Sequence, residues 1–135
     1  MIITPFEFGL FILGFIFVCG VFLILFRKKP KIPNKLANKF IRKINDTRSL
    51  DSAHAILNAH KYFVAAISVL FPDSKLSAAK KISKISSSFP NEKNVWYFHK
   101  LRNRIAHEVE IKVYFADAEN ARRHFTRAIK SLTKK

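Results

Sequence analysis

An arginine and a histidine separated by four residues carry the clearest chemical signal in this chain. In the segment Leu101–Glu108, Asn103 directly follows Arg102, and His107 comes four positions after Asn103. An imidazole can act as a general acid or base, and a guanidinium can stabilise charge at a phosphate. Positions five apart on a straight helix differ by about 140° and about 7.5 Å, so both side chains reach one phosphate only if the helix ends near His107 or the arginine reaches across. Asn103 and His107 share a helix face, which predicts that the carboxamide orients the imidazole.

This spacing, with a polar residue directly after the arginine, resembles the Arg-x4-6-His motif of HEPN domains. The similarity in helix order covers residues 49–133, but only the octapeptide matches at the level of a motif. The resemblance implies an all-helical bundle and, in active members, metal-independent cleavage of RNA at a composite site formed by two protomers. His107 would then take the proton of a ribose 2′-OH, and Arg102 would stabilise the phosphorane. The candidate catalytic residues are therefore Arg102, Asn103 and His107, and the expected partners are RNA and a second copy bound through the bundle.

The same three side chains also fit a structural role. Buried polar groups need hydrogen-bond partners, so Arg102, Asn103 and His107 could tie the end of their helix to a neighbouring carbonyl or to Glu108. On this alternative the domain is a non-catalytic helical module that docks a protein partner or an anionic lipid at the membrane. The sequence leaves both interpretations open.

Other classes of site lack the residues they need. No glycine follows Gly20, which excludes the phosphate-binding loops of nucleotide-hydrolysing folds. The single cysteine, Cys19, excludes an intrachain disulfide and a cysteine-based zinc site. The other histidines lack the spacing of metal ligands, so the sequence predicts no metal and no other cofactor.

Residues Phe8–Phe26 form an uninterrupted apolar run without a charged side chain. A helix of this length covers roughly 28 Å, close to the hydrocarbon thickness of a bilayer. A cleaved secretory signal would have a basic segment before the run, a shorter run and a small-residue cleavage site, which this sequence lacks. Basic residues follow the run directly, which predicts a single-pass protein with a cytoplasmic C-terminal domain. The candidates for lipid-headgroup contact are Arg27, Lys28, Lys29 and Lys31.

The chain beyond the apolar run is strongly basic. All 25 lysines and arginines follow the run, whereas Glu7 alone among the nine acids precedes it, so this part carries one charge more than the whole chain, +17 against +16. Such a domain attracts polyanions, either nucleic acid or the anionic inner leaflet, although a charged run can also be a solvated helix face. The candidates for salt-dependent RNA binding are Lys75, Lys80, Lys81, Lys84, Arg104, Arg122, Arg123 and Arg127.

Apolar periodicity predicts an all-α fold, with one transmembrane helix followed by a small bundle of four to five helices. We divide the chain into an anchor (1–27), a basic joint with two prolines and a short amphipathic helix capped by Asn34 (28–48), and the HEPN-like bundle (49–135). Within the bundle, the predicted helix starts are Ser49 or Asp51, Asp73, Glu92 and Asp117. The helix that begins at Glu92 is expected to end at His107, before a brief extended stretch at Val109–Val113.

Overall fold

The computed structural model describes residues 5–25, 31–73 and 75–133, with the side chains of the first helix described from Phe8 onward. Six α-helices and no strand occur in these ranges: α1 Pro5–Leu25, α2 Asn34–Asn45, α3 Ser52–Ser68, α4 Ala78–Ile85, α5 Glu92–His107 and α6 Phe115–Ser131. Short 3₁₀ turns lie at Asp46–Ser49 and Ser86–Ser88. The predicted all-α architecture, an apolar N-terminal helix followed by a helical bundle, is confirmed.

Helix α1 exposes large apolar side chains around its whole circumference. Phe11 is 81% exposed, and Phe17 and Ile24 are each more than 70% exposed. The window Phe8–Leu25 is long and apolar enough to cross a membrane, a property that secretory signal sequences share. Phe26, the last residue of the predicted span, lies outside the described residues, as do Arg27, Lys28 and Lys29.

The bundle is built around α3, which packs against α2, α4, α5 and α6. Stacked phenylalanines from α3 and α6, Phe63 and Phe125, lie at its centre with ring centroids 4.8 Å apart, and both are fully buried. The inward side chains of α6 and its C-cap are also fully buried: Ala121, Phe125, Ala128 and Leu132. Helix α5 therefore has a rigid surface on which to place its C-terminal residues.

The segment predicted to be a joint and a short amphipathic helix packs into this core from residue 31 onward. Ile32 is fully buried, and its N–H donates to the carbonyl of Leu132 over 2.7 Å. Ala37 and Ile44 of α2 are also fully buried. Asn34 does not cap α2, because the carbonyl of Pro33 accepts the first helical hydrogen bonds and the N-cap is Pro33. The packed bundle thus begins near residue 31, ahead of the boundary predicted at residue 49.

Two predicted helix starts are confirmed and two are wrong. Asp51 caps α3 by accepting the N–H of His54 over 3.1 Å, and α5 begins at Glu92. Helix α4 begins at Ala78, because the hydroxyl of Ser77, and not Asp73, accepts a first-turn N–H. Helix α6 begins at Phe115 because Asp117 lies inside its first turn, where its carboxylate accepts the N–H of Tyr114 over 2.9 Å.

Candidate functional site

The motif residues lie on the last two turns of α5, which ends at His107 as predicted. Glu108 follows in an extended conformation, with φ −98° and ψ 132°. Arg104 holds this terminus by a bidentate ion pair to Glu108, with N–O distances of 2.9 and 3.0 Å. The pair lowers the pKa of Glu108 and raises that of Arg104, because each charge stabilises the other. Arg104, and not Arg102, therefore ties the end of α5 to Glu108.

The segment after the motif, residues 108–114, is non-helical and forms no strand, and a turn at residues 109–110 interrupts the predicted extended stretch. Ile111 and Val113 pack partly against the core, whereas Val109 is fully exposed. Tyr114 and Phe115, at the start of α6, are 65% and 70% exposed. The chain that leaves His107 thus carries a group of exposed apolar side chains: Val109, Tyr114 and Phe115.

His107 is exposed, and its side chain has no hydrogen-bond or ion-pair partner among the described residues. The expectation that Asn103 orients this imidazole is wrong, because Asn103 bonds in the opposite direction along the helix. Its Oδ1 accepts from Arg102 over 3.1 Å, and its Nδ2 lies 3.4 Å from Nε2 of His99. The imidazole of His107 therefore remains free to meet a ligand.

A chain of polar side chains runs from Arg102 into the core. It continues from Asn103 to His99, whose Nδ1 lies 2.9 Å from Nε2 of His60 on α3. The arginine can only donate, so Asn103 must present its oxygen to Arg102 and its amide hydrogens to His99. Nε2 of His99 then accepts, and its Nδ1–H donates to His60. The bonding directions along this polar chain, Arg102–Asn103–His99–His60, are thus fixed by the arginine.

The two buried histidines are held neutral. Burial lowers the pKa of His60 to about 3, with smaller contributions from His99 and Arg102. Burial and then the charge of Arg102 also lower the pKa of His99. The ring of His60 packs against Phe63 and Phe125, with centroid distances of 6.5 and 5.7 Å. Neither histidine is placed to exchange protons with solvent, so their role is to position Asn103 and Arg102.

Arg102 keeps binding capacity in this arrangement. It is half-buried, and no described carboxylate lies within 4 Å of its guanidinium. Its Nε is buried and has no hydrogen-bond partner in the described structure. Buried donors usually have acceptors, and a guanidinium fits a phosphate with two parallel hydrogen bonds. The arginine of the motif is thus a positioned cation whose charge no described acid neutralises.

The basic residues predicted to bind RNA fall into separate groups. Lys75, Lys80 and Lys84 are exposed in and before α4, while Nζ of Lys81 donates to Oγ of Ser68 over 2.9 Å. On α6, Arg123 and Arg127 are exposed, but Arg122 is buried beside Glu119. The headgroup candidate Lys31 is exposed and donates to the carbonyl of Thr133 over 3.2 Å.

The two residues that position Asn103, His60 and His99, were not among the candidates predicted from the sequence. His60 lies on the inward stripe of α3, and His99 is four residues before Asn103, which places the two on one face of α5. That spacing is the signal that could have revealed the second contact of Asn103. No group of three or more metal-binding side chains occurs in the part of the chain that the structure describes.

No family model, curated protein or solved structure matches the chain. The resemblance to HEPN domains therefore rests on the octapeptide and on the order of the helices.

Proposed function

We propose that this protein is a single-pass membrane protein whose cytosolic HEPN-like bundle binds RNA and cleaves it without a metal ion. One observation carries the proposal: the two residues that the chemistry needs, Arg102 and His107, are the motif residues left with free binding capacity. Among the described residues, the Nε of Arg102 has no hydrogen-bond acceptor and its guanidinium has no acidic partner. His107 is exposed, and its imidazole has no described hydrogen-bond partner. Asn103 is the residue engaged on both sides.

The reaction is an internal transesterification. His107 removes the proton of a ribose 2′-OH, and the 2′ oxygen attacks the adjacent phosphorus. The bond from phosphorus to the 5′ oxygen breaks, and a second histidine returns a proton to that oxygen. The products are a 2′,3′-cyclic phosphate and a 5′-hydroxyl end. Arg102 stabilises the negative charge that develops on the phosphorane, and Asn103 holds Arg102 in place.

A second copy of the chain would supply the second histidine. Arg102 and His107 are about 140° apart around α5, so one protomer points them in different directions. A dimer through this end of the bundle would also cover Val109, Tyr114 and Phe115, which are exposed here. The composite site implied by the family resemblance is consistent with both features.

The chain's charge supports access to RNA. The positive-inside rule places the bundle in the cytoplasm, where RNA is present. The exposed cations in and before α4, Lys75, Lys80 and Lys84, provide sequence-independent affinity that falls as salt rises.

The test is cleavage of labelled RNA by the full-length protein in uncharged detergent micelles with excess chelator. Arg102→Lys should lower the rate about 10²-fold, since an ammonium cannot reproduce the planar guanidinium at the phosphate. The matched control is Arg42→Lys, which changes an exposed arginine of α2 far from the motif in the chain and should leave the rate near that of the parent.

Two results would contradict the proposal. A parent protein that binds RNA but never forms cyclic phosphate ends would support the non-catalytic interaction module. Equal losses in the Arg102→Lys and Arg42→Lys variants would show that the loss is not specific to the guanidinium of the motif.

A further inference from the structure

A polar cavity lies between the Asp46–Ser49 turn and one face of α6. Its volume is about 430 Å³. It is lined by Asn45, Arg48, Glu119, Arg122, Arg123, Thr126, Arg127 and Lys130. The six lining residues from α6 follow spacings of three and four, so they share one face of that helix. This arginine cavity is separate from the motif at the end of α5.

Two buried polar atoms in its lining have no hydrogen-bond partner in the part of the chain that the structure describes. Arg122 is only 4% exposed; its guanidinium pairs with Glu119 and reaches Oγ1 of Thr47 over 3.5 Å, but its Nε is left without an acceptor. Oγ1 of Thr126 is likewise buried and unpartnered. Buried polar atoms in folded proteins are normally hydrogen-bonded. Two unsatisfied groups in the lining of one cavity indicate a ligand that offers acceptor oxygens.

The charge of the cavity indicates an anion. Five cationic side chains line it against the single carboxylate of Glu119, which already pairs with Arg122 and lies 3.9 Å from Arg48. Arg127 and Lys130 have no side-chain partner among the described residues. A phosphomonoester carries a charge of about −1.5 to −2 and three strong acceptor oxygens. That group matches both the excess charge and the unsatisfied donors.

The connection to α1 places this cavity close to the membrane. Lys130 lies two residues before Leu132, whose carbonyl accepts the N–H of Ile32. Ile32 follows Leu25, the last residue of α1, by seven positions, which span at most about 25 Å when fully extended. With α1 in the bilayer, this end of α6 stays within reach of lipid headgroups.

We propose that the arginine cavity binds the phosphate of an anionic lipid headgroup, a terminal phosphomonoester such as that of phosphatidic acid. Arg122 and Thr126 would donate to the phosphate oxygens in the interior of the cavity. Arg127 and Lys130 would contact them from the exposed rim. The lipid would hold the bundle against the membrane at a second point besides α1. This inference is independent of the RNA chemistry proposed for the motif.

The experiment titrates the full-length protein, in uncharged detergent micelles, with short-chain phosphatidic acid by calorimetry. Thr126→Val removes the unpartnered hydroxyl at nearly constant shape, and Arg127→Gln removes a rim cation. Each should weaken binding about tenfold, as expected for the loss of one hydrogen bond to a charged group. Lys61→Gln is the matched control, since it removes one exposed charge outside the cavity and should leave the affinity unchanged. Thermal melts check that all variants are folded.

Separate arms distinguish the ligand's source. Inorganic phosphate that binds as tightly as phosphatidic acid would overturn the lipid assignment in favour of free phosphate. An RNA oligonucleotide that displaces the lipid, and that Thr126→Val also weakens, would make the cavity part of the RNA surface and overturn the proposal. Equal weakening by Lys61→Gln would show that only the overall field of the domain attracts the lipid, with the same consequence.

Discussion

His60 and His99 face each other from α3 and α5 and share a hydrogen bond inside the core. Both stay neutral in the fold because burial disfavours their charged forms. The same bond fixes the ring of His99, which in turn meets Asn103. The orientation of Arg102 therefore depends on two histidines that are themselves buried.

Stability should fall on mild acidification. The pKa of His60 is about 3 in the fold against an ordinary value of 6.5, so the unfolded chain binds more protons between these values. Unfolding is thus favoured progressively as the pH drops below about 6.5, by about 1.4 kcal/mol per pH unit for one such group. Thermal melts of the full-length protein at pH 7 and pH 5 measure the effect.

The matched pair of variants for this pH effect is His60→Leu and His107→Ala. Removing the buried ring should flatten the dependence on pH, whereas removing the exposed ring should leave it intact. Melting temperatures that do not change between pH 7 and pH 5 in the parent would contradict the neutral, buried state of the histidine pair.

For individual residues, the sequence could predict the motif but not the side chains that bond to it. His99 and His107 both lie four residues from Asn103, so helical spacing alone offers the asparagine two equivalent imidazoles. The choice depends on His60, which comes from a helix 39 positions earlier in the chain. Such a contact between distant segments leaves no local pattern in the sequence.

The bounds of the helices could be predicted from local sequence signals more closely than the side-chain contacts of the motif. The sequence pattern predicts both ends of Glu92–His107, because its apolar stripe is regular and the helical period breaks at Val109. The segment 31–45 shows the limit of such signals. Pro33 correctly predicts an interruption before α2, since proline restricts the backbone, but a restricted backbone does not determine whether Ile32 packs against α6.

Ile32 should act as an anchor of the bundle. A fragment of residues 31–135 is expected to fold without α1, whereas Ile32→Ala in that fragment should lower the free energy of unfolding by about 2–5 kcal/mol, because the side chain is fully buried. Urea unfolding followed by circular dichroism measures the difference. Asn38→Ala, an exposed position on α2, is the control and should change stability little. Equal stability of the two variants would contradict the packing of residue 32.

The whole molecule combines one apolar helix with a basic bundle. The placement of every lysine and arginine after residue 26 predicts that a reporter fused after Lys135 is active in the cytosol. Reporter activity on the opposite side of the membrane would contradict the orientation and remove the domain from cellular RNA. A reporter that is active only in the cytosol would indicate that the bundle lies where RNA is present, which the proposed function requires.

The central claim is that His107 performs chemistry, and the most direct test measures stability and cleavage on the same samples. We predict that the full-length protein cuts RNA in excess chelator and that His107→Ala lowers the rate by about 10²–10⁴-fold. Its melting temperature should stay at the parent value, because the imidazole has no partner among the described residues. His54→Ala, which removes another exposed histidine, should keep the activity. A parent that never cuts RNA, or a His107→Ala variant that cuts at the parent rate, would contradict the account.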